Sequence, residues 1–161
     1  MGRALLFALF AAGTFVLLTS QGLPDVVASH FGPGGTANGA MSRRAYTVFM
    51  LAMVIGVPLL IAGSTLLVKK LPPQLVNLPN KRYWLAPERR AESLEALASL
   101  SKGFAAGIAI FLAFVHWLVV RANAARPPRL EEGWFLVGLT AFGLATVVWL
   151  VALYRRFGRA G

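Results

Sequence analysis

Four stretches of this chain contain no Lys, Arg, Asp or Glu: Ala4 to Leu18, Tyr46 to Val68, Gly103 to Val120 and Gly133 to Leu153. A helix crossing a hydrocarbon core of roughly 30 Å needs about 20 residues at about 1.5 Å rise each. The second and fourth stretches meet that length as they stand. The first meets it if it continues through Thr19, Ser20 and Gln21, and the third if Leu100 and Ser101 are counted. With 57% of residues hydrophobic and 14% charged, the chain is too apolar to cover a water-facing surface of its size. It reads as an all-α integral membrane protein, one membrane domain over residues 1–161 built as a four transmembrane helix bundle. The spans fall at about 4–22, 46–68, 101–120 and 133–153.

Arg3 followed by mostly apolar residues also fits the start of a cleaved signal peptide. The segment Leu18-Thr19-Ser20-Gln21-Gly22-Leu23 offers no small-x-small cleavage site, so the first span reads as a retained anchor. Cations then set the orientation. Arg3, Lys69, Lys70, Lys81, Arg82, Arg89, Arg90, Lys102, Arg155, Arg156 and Arg159 fall on one side, against Arg43, Arg44, Arg121, Arg126 and Arg129 on the other. Eleven against five of the sixteen places both termini in the cytoplasm, with an outer loop at 23–45 and a larger, basic inner loop at 69–100. The net charge of +10 is then a topology signal and an attraction for anionic lipid headgroups. No stripe of basic and aromatic residues tracks phosphates, which argues against nucleic acid. The absence of cysteine excludes disulfides and thiolate metal sites.

Small residues recur along the spans. Ala4, Ala8, Ala12 and Gly13 form a ridge on the first, Ala52, Gly56 and Gly63 on the second, and Gly103-x-x-x-Gly107 on the third, each suited to close packing inside the bundle. Pro58 should kink the second span. Trp134, Trp149 and Tyr154 lie near span ends, as interfacial anchors do. Pro127-Pro128 stiffens the short connection between spans 3 and 4. In the inner loop, KKLPPQLVNLPNKRYWLAP has too many prolines for a continuous helix or central strand. From Pro87 onward, PERRAESLEALASLSK reads as a helix running into span 3, with Glu92 able to meet Arg89.

His116 is the one titratable side chain well within a span, and such a residue is by default a functional candidate. The plainer reading is a neutral histidine bonded to helix backbone or to Thr140. Glu88, Glu92 and Glu95 sit on a charged helix surface, which supplies none of the enclosure a catalytic carboxylate pair needs. His30 and Asp25 are two ligands at a spacing that specifies no metal. No catalytic residue, metal or cofactor is therefore assigned.

The outer loop carries turn-forming pairs at Gly32-Pro33-Gly34-Gly35 and Asn38-Gly39, with Ser42 placed to cap the second span, so it is compact. Leu23, Pro24, Val27, His30, Phe31, Gly35, Asn38, Gly39, Ser42 and Arg43, followed by a span, resemble the family called domain of unknown function 1648. That domain forms the N-terminal part of bacterial SdpI-like toxin-immunity proteins. The stretch Asn77-Leu78-Pro79-Asn80-Lys81-Arg82-Tyr83-Trp84-Leu85-Ala86-Pro87-Glu88-Arg89-Arg90 is similar to a second signature of short members. The resemblance implies a small, multi-pass, non-enzymatic protein of the bacterial inner (cytoplasmic) membrane, with immunity or membrane signalling as the activity.

The sequence thus supports a factor that binds a partner, a toxin or regulator, through its loops. The candidate residues are His30, Phe31, Asn38, Asn77, Asn80, Tyr83, Trp84, Glu88, Arg89 and Arg90, with His116 as an intramembrane polar candidate. The alternative is an accessory subunit of a larger membrane complex. A third class, a small transporter or membrane enzyme, needs polar groups gathered at mid-depth, and those present are scattered.

Overall fold

The structure, a computed structural model, describes residues 2–159 apart from the side chain of Lys69. Met1, Ala160 and Gly161, at the ends of the expected domain, and the Lys69 side chain, one of the cations assigned to the inner loop, lie outside the described residues. The element order is α1 (Arg3–Ser20), β1 (Val26–Phe31), β2 (Ala37–Ser42), α2 (Arg43–Leu51), α3 (Val57–Lys70), α4 (Lys81–Trp84), α5 (Arg90–Ala124) and α6 (Glu132–Phe157). A π-helical turn, Ala52–Gly56, joins α2 to α3 into one pass. Four passes are long and apolar enough to cross a membrane, so the chain is a multi-pass membrane protein.

Pro58 explains the wide turn. Its ring has no N–H to give and would strike the carbonyl four residues back, at Val54. The helix widens by one residue at that level instead of breaking. Val54 stays in the core, with no exposed surface. The kink expected at Pro58 is therefore a π turn just ahead of it.

α1 packs on α5 through Leu5, Ala8 and Leu9 against Ala105, Ala106 and Ala109, where alanines let the backbones approach. Gly103 and Gly107 do not share in this, contrary to the expectation that they pack inside the bundle: a Cβ at either would meet nothing within 4 Å. The same holds for Gly56 and Gly63, while Ala52 is exposed. The reason is register: the buried alanines occupy the α5 face toward α1, and the glycines face the groove beside α6.

α6 rests on α5 by aromatic stacking, Phe104 on Trp149 at 4.6 Å and Phe111 on Phe142 at 4.5 Å between ring centroids. Trp149 Nε1 donates to the Leu100 carbonyl at 2.9 Å, so this ring is a packing residue, not a free interfacial anchor. An apolar groove of about 540 Å³ remains between the two helices. Along α6 only Phe157 is buried.

α5 is continuous for 35 residues, about 52 Å. It begins at Arg90, not Pro87. The Ala86 carbonyl accepts from the Arg89 and Arg90 amides at 3.0 and 2.9 Å, so Pro87 sits in a turn ahead of the helix. Glu92 pairs with Arg156 at 2.7 Å, and not with Arg89.

The compact outer loop is strand-forming, so the chain is not all-α. Residues 26–42 form an antiparallel hairpin, pairing Val26 with Ser42, Val27 with Met41 and Ala28 with Ala40. The register then slips at Ser29 on β1 and at Asn38 on β2, so His30 faces Gly39 and Phe31 faces Ala37. Ser42 Oγ accepts from the Ala45 amide at 3.3 Å, the cap the sequence suggested.

The hairpin tip is tied to the connection before α6. Leu130 N donates to Gly35 O at 2.8 Å, and Arg129 Nε donates to Gly34 O at 3.0 Å. Both glycines have left-handed backbone, with φ of 75° and 71°, but only Gly35 lies against other chain. A Cβ there would collide with the Leu130 carbonyl, whereas one at Gly34 meets nothing within 4 Å. Gly34→Ala should cost about 1 kcal/mol of backbone strain. Gly35→Ala should cost at least about 2 kcal/mol, because the same strain is joined by the collision. Thermal unfolding of the pair in detergent checks this; equal midpoints would show that the tip is not clamped.

The hairpin and residues 125–131 share one end of the bundle. Gly2, which abuts the Lys102 side chain, lies toward the other, where residues 71–89 and Phe157 pack together.

Candidate functional site

The base of the hairpin is organised by Arg43. Its guanidinium donates to the Leu23 carbonyl and pairs with Asp25, both at 2.9 Å, while its amide bonds the Asp25 carbonyl at 2.9 Å. Asp25 is thus turned toward Arg43 and shares no ligand set with His30. Among the described residues no three His, Cys, Asp or Glu gather as metal ligands do.

The outer edge of β1 is held by α5. Asn123 Oδ1 accepts from the Ala28 amide and its Nδ2 donates to the Ala28 carbonyl, each at 2.9 Å. This side chain takes the place of a third strand, satisfying backbone groups that a lone edge would leave open. Nδ2 also donates to the Val119 carbonyl at 2.9 Å, which fixes its rotamer.

Beneath the hairpin lies His116, with no exposed surface. Its Nε2 is 2.7 Å from Thr19 Oγ1, and its Nδ1 is 2.9 Å from Tyr46 Oη. Thr19 already donates its own hydroxyl proton to the Phe15 carbonyl at 2.7 Å. It can therefore only accept from the imidazole, so Nε2 carries the proton and Nδ1 accepts from Tyr46. One neutral tautomer satisfies every group, and it ties α1, α2 and α5 together. Phe15 meets the imidazole edge-on and Tyr46 stacks on it, at 5.7 and 5.6 Å. Thr140, the partner suggested by sequence, is exposed on α6, away from this network.

On this scaffold His30 is exposed, its Nδ1 3.0 Å from Ser29 Oγ. It lies over Gly39, where a Cβ would come within 3.1 Å of the histidine Cβ, so the glycine makes room for it. Phe31 packs on the core beside Val27 and Met41, and Asn38 is exposed at the bulge. The hairpin therefore shows solvent His30, Asn38 and the unpaired outer edge of β2.

At the opposite end the second motif folds into a clamp on α6. Asn80 Nδ2 and Trp84 Nε1 both donate to the Phe157 carbonyl, at 3.1 and 2.9 Å, satisfying a group that the helix end leaves open. Arg89 lies over the Tyr83 ring at 4.1 Å, and Arg156 over Trp84 at 4.6 Å. Arg90 donates to the Leu71 carbonyl at 2.9 Å. Asn77 and Glu88 are exposed. The motif residues come together here, yet most are spent on holding the chain to itself. They lie far from His30, Phe31, Asn38 and His116, which share the other end.

Residues 5–56 match DUF1648, a domain of unknown function. The matched segment covers most of α1, the whole hairpin, α2 and the π turn. Nothing among curated proteins or solved structures matches the chain. The DUF1648 segment does not close on itself: Thr19 and Tyr46 need His116, Ala28 needs Asn123, and Gly35 needs Leu130. All three partners lie outside the match.

Asn123 was missed in the sequence. One signal pointed to it: it stands seven residues after His116, two turns on the same helix face, at the end where the hairpin sits. Replacing Asn123 with aspartate keeps the shape but sets a carboxylate against the Ala28 and Val119 carbonyls. Asn123→Asp should loosen the hairpin by about 2 kcal/mol, read as faster amide exchange at Ala28. Unchanged protection there would mean that the strand stands without the clamp.

Proposed function

We propose that the chain is a bacterial inner-membrane protein that acts by binding, an SdpI-like immunity or membrane signalling factor without catalytic activity. The observation that supports this is the hairpin itself: fastened at its base by Arg43, along the β1 edge by Asn123 and at its tip by Leu130, it nevertheless leaves His30, Asn38 and the free edge of β2 open. A connection needed only for turning the chain would not require three fastenings. A rigid surface that loses little entropy on binding would.

The cations suggest which way it faces. Arg3, Lys70, Lys81, Arg82, Arg89, Arg90, Lys102, Arg155, Arg156 and Arg159 belong to the end opposite the hairpin, which favours that end for the cytoplasm and for anionic headgroups. The hairpin then meets its partner, a toxin or regulator, outside the cytoplasmic membrane. In a strain lacking this chain, wild type should restore the lost phenotype and the double variant His30→Ala with Asn38→Ala should not, at equal membrane abundance. Full rescue by the variant, or reporter fusions that put residues 30 and 85 in one compartment, would sink the reading.

The open groove beside Gly103 and Gly107 favours a second reading, an accessory subunit of a larger membrane assembly. Mild-detergent purification separates the two. Stoichiometric companions that are lost on Gly107→Leu support the subunit, and a lone chain counts against it.

A further inference from the structure

Between the end of α1 and the start of α2 runs a surface groove of about 590 Å³, and its two parts differ in chemistry. Leu17, Val48 and Leu51 form an apolar wall, with Leu17 51% and Val48 60% exposed. Ser20, Gln21 and Arg44 form a polar rim above it. Arg44 and Leu51 are seven residues apart on one helix, about 10 Å along its axis.

Two groups at the rim lack a partner. Ser20 is only 3% exposed, and its Oγ makes no hydrogen bond. Such a hydroxyl costs about 1–3 kcal/mol unless something answers it. Arg44 is exposed and makes no ion pair or hydrogen bond among the described residues. Arg43 beside it is committed to Asp25 and to the Leu23 carbonyl, and the Thr47 hydroxyl donates to the Arg43 carbonyl at 2.8 Å. Asp25 offsets the charge of Arg43, so the net positive charge at the rim is that of Arg44.

We propose that this groove binds one anionic glycerophospholipid of the leaflet at the hairpin end. The phosphate is held by Arg44 and the Gln21 side-chain amide, and by Ser20 Oγ once that sealed hydroxyl rotates toward the rim, while one acyl chain lies along Leu17, Val48 and Leu51. The level of the rim selects a lipid over a soluble anion: it stands where α1 ends and α2 begins, at headgroup depth, and its wall descends into hydrocarbon. This inference is independent of the partner-binding reading, since none of these side chains belongs to the exposed hairpin surface.

The test is native mass spectrometry of the full chain in neutral detergent, titrated in parallel with dimyristoyl phosphatidylglycerol and dimyristoyl phosphatidylcholine. The first phosphatidylglycerol should bind more tightly than any phosphatidylcholine. Arg44→Gln should weaken it about tenfold, Arg44→Lys should recover most of that, and Arg126→Gln, at the same end but away from the groove, should change nothing. Ser20→Ala should weaken it about threefold while leaving the unfolding midpoint in lipid-free detergent equal or higher, because the orphaned hydroxyl is gone. If Arg44→Gln fails to fold, the lysine and Ser20 variants decide the matter. Equal binding of the two lipids, an Arg44→Gln chain that binds like wild type, or displacement by inorganic phosphate at the lipid's concentration overturns the proposal.

Discussion

The Phe157→Ala chain is expected to unfold about 4 kcal/mol more easily than wild type, the largest single effect in the molecule. Phe157 has no exposed surface and is packed among Val76, Leu78, Leu85 and Leu94, with the Trp84 ring edge-on at 5.7 Å. Three segments distant in sequence converge on it, and the one between α3 and α5 is too rich in proline to hold itself together by backbone bonds. Loss of the ring removes apolar contact at the end of the bundle, where the alternative surrounding is water and interface, so the transfer term counts in full. The Phe157 carbonyl and its donors Trp84 and Asn80 survive the change, which separates the two contributions. Trp84→Phe keeps bulk and loses a donor, and should cost only about 1 kcal/mol. Thermal unfolding in detergent gives the stability ranking. Trypsin cleavage after Lys81 or Arg82 reports the local consequence and should accelerate sharply for Phe157→Ala. A loop cut at the wild-type rate would show that the clamp is held elsewhere.

How much of this was legible follows from which interactions are local. The four passes were visible because hydrocarbon demands a long uncharged run, a property each segment carries in its own composition. Ser42 was legible as a cap because its partner is three residues on. The hairpin was not. Val26 is 69% exposed and Val27 fully buried, but the bulges at Ser29 and Asn38 break the alternation that would advertise a strand, and one of its fastenings comes from Asn123, 95 positions away from Ala28. The glycines misled for a related reason: Gly103-x-x-x-Gly107 states that a helix face is flat, and only the register of α5 against α1 decides that the flat face looks into a groove. The residues of the second motif were found as a set without their purpose, since the α6 carbonyl that Asn80 and Trp84 share lies over seventy residues downstream.

His116 was recognised as unusual, but its partners could not be read, and its replacement is the second large effect. His116→Phe keeps an aromatic ring in the cavity and deletes both nitrogens. Thr19 keeps its bond to the Phe15 carbonyl, so it is not stranded, whereas the Tyr46 hydroxyl loses its acceptor inside the bundle. The expected cost is about 2 kcal/mol, the sum of an orphaned buried hydroxyl and a lost interhelical bond. His116→Ala should cost about 3 kcal/mol, because a cavity is added; lipid rather than water surrounds this level, so packing loss and not transfer sets the increment. Tyr46→Phe alone should cost about 1 kcal/mol. In the double variant His116→Phe with Tyr46→Phe no hydroxyl remains to be stranded, and the combined cost should fall short of the sum by roughly 0.6–1.7 kcal/mol, from the average to the largest value for such bonds within bundles. The consequence reaches the outer surface, since Leu23 and Val27 pack in the same cluster as Tyr46, and their amides should exchange faster in His116→Phe. Strict additivity in the cycle, with protection at Val27 unchanged, would mean that the three helices are joined by packing alone and that the hairpin is indifferent to the polar network beneath it.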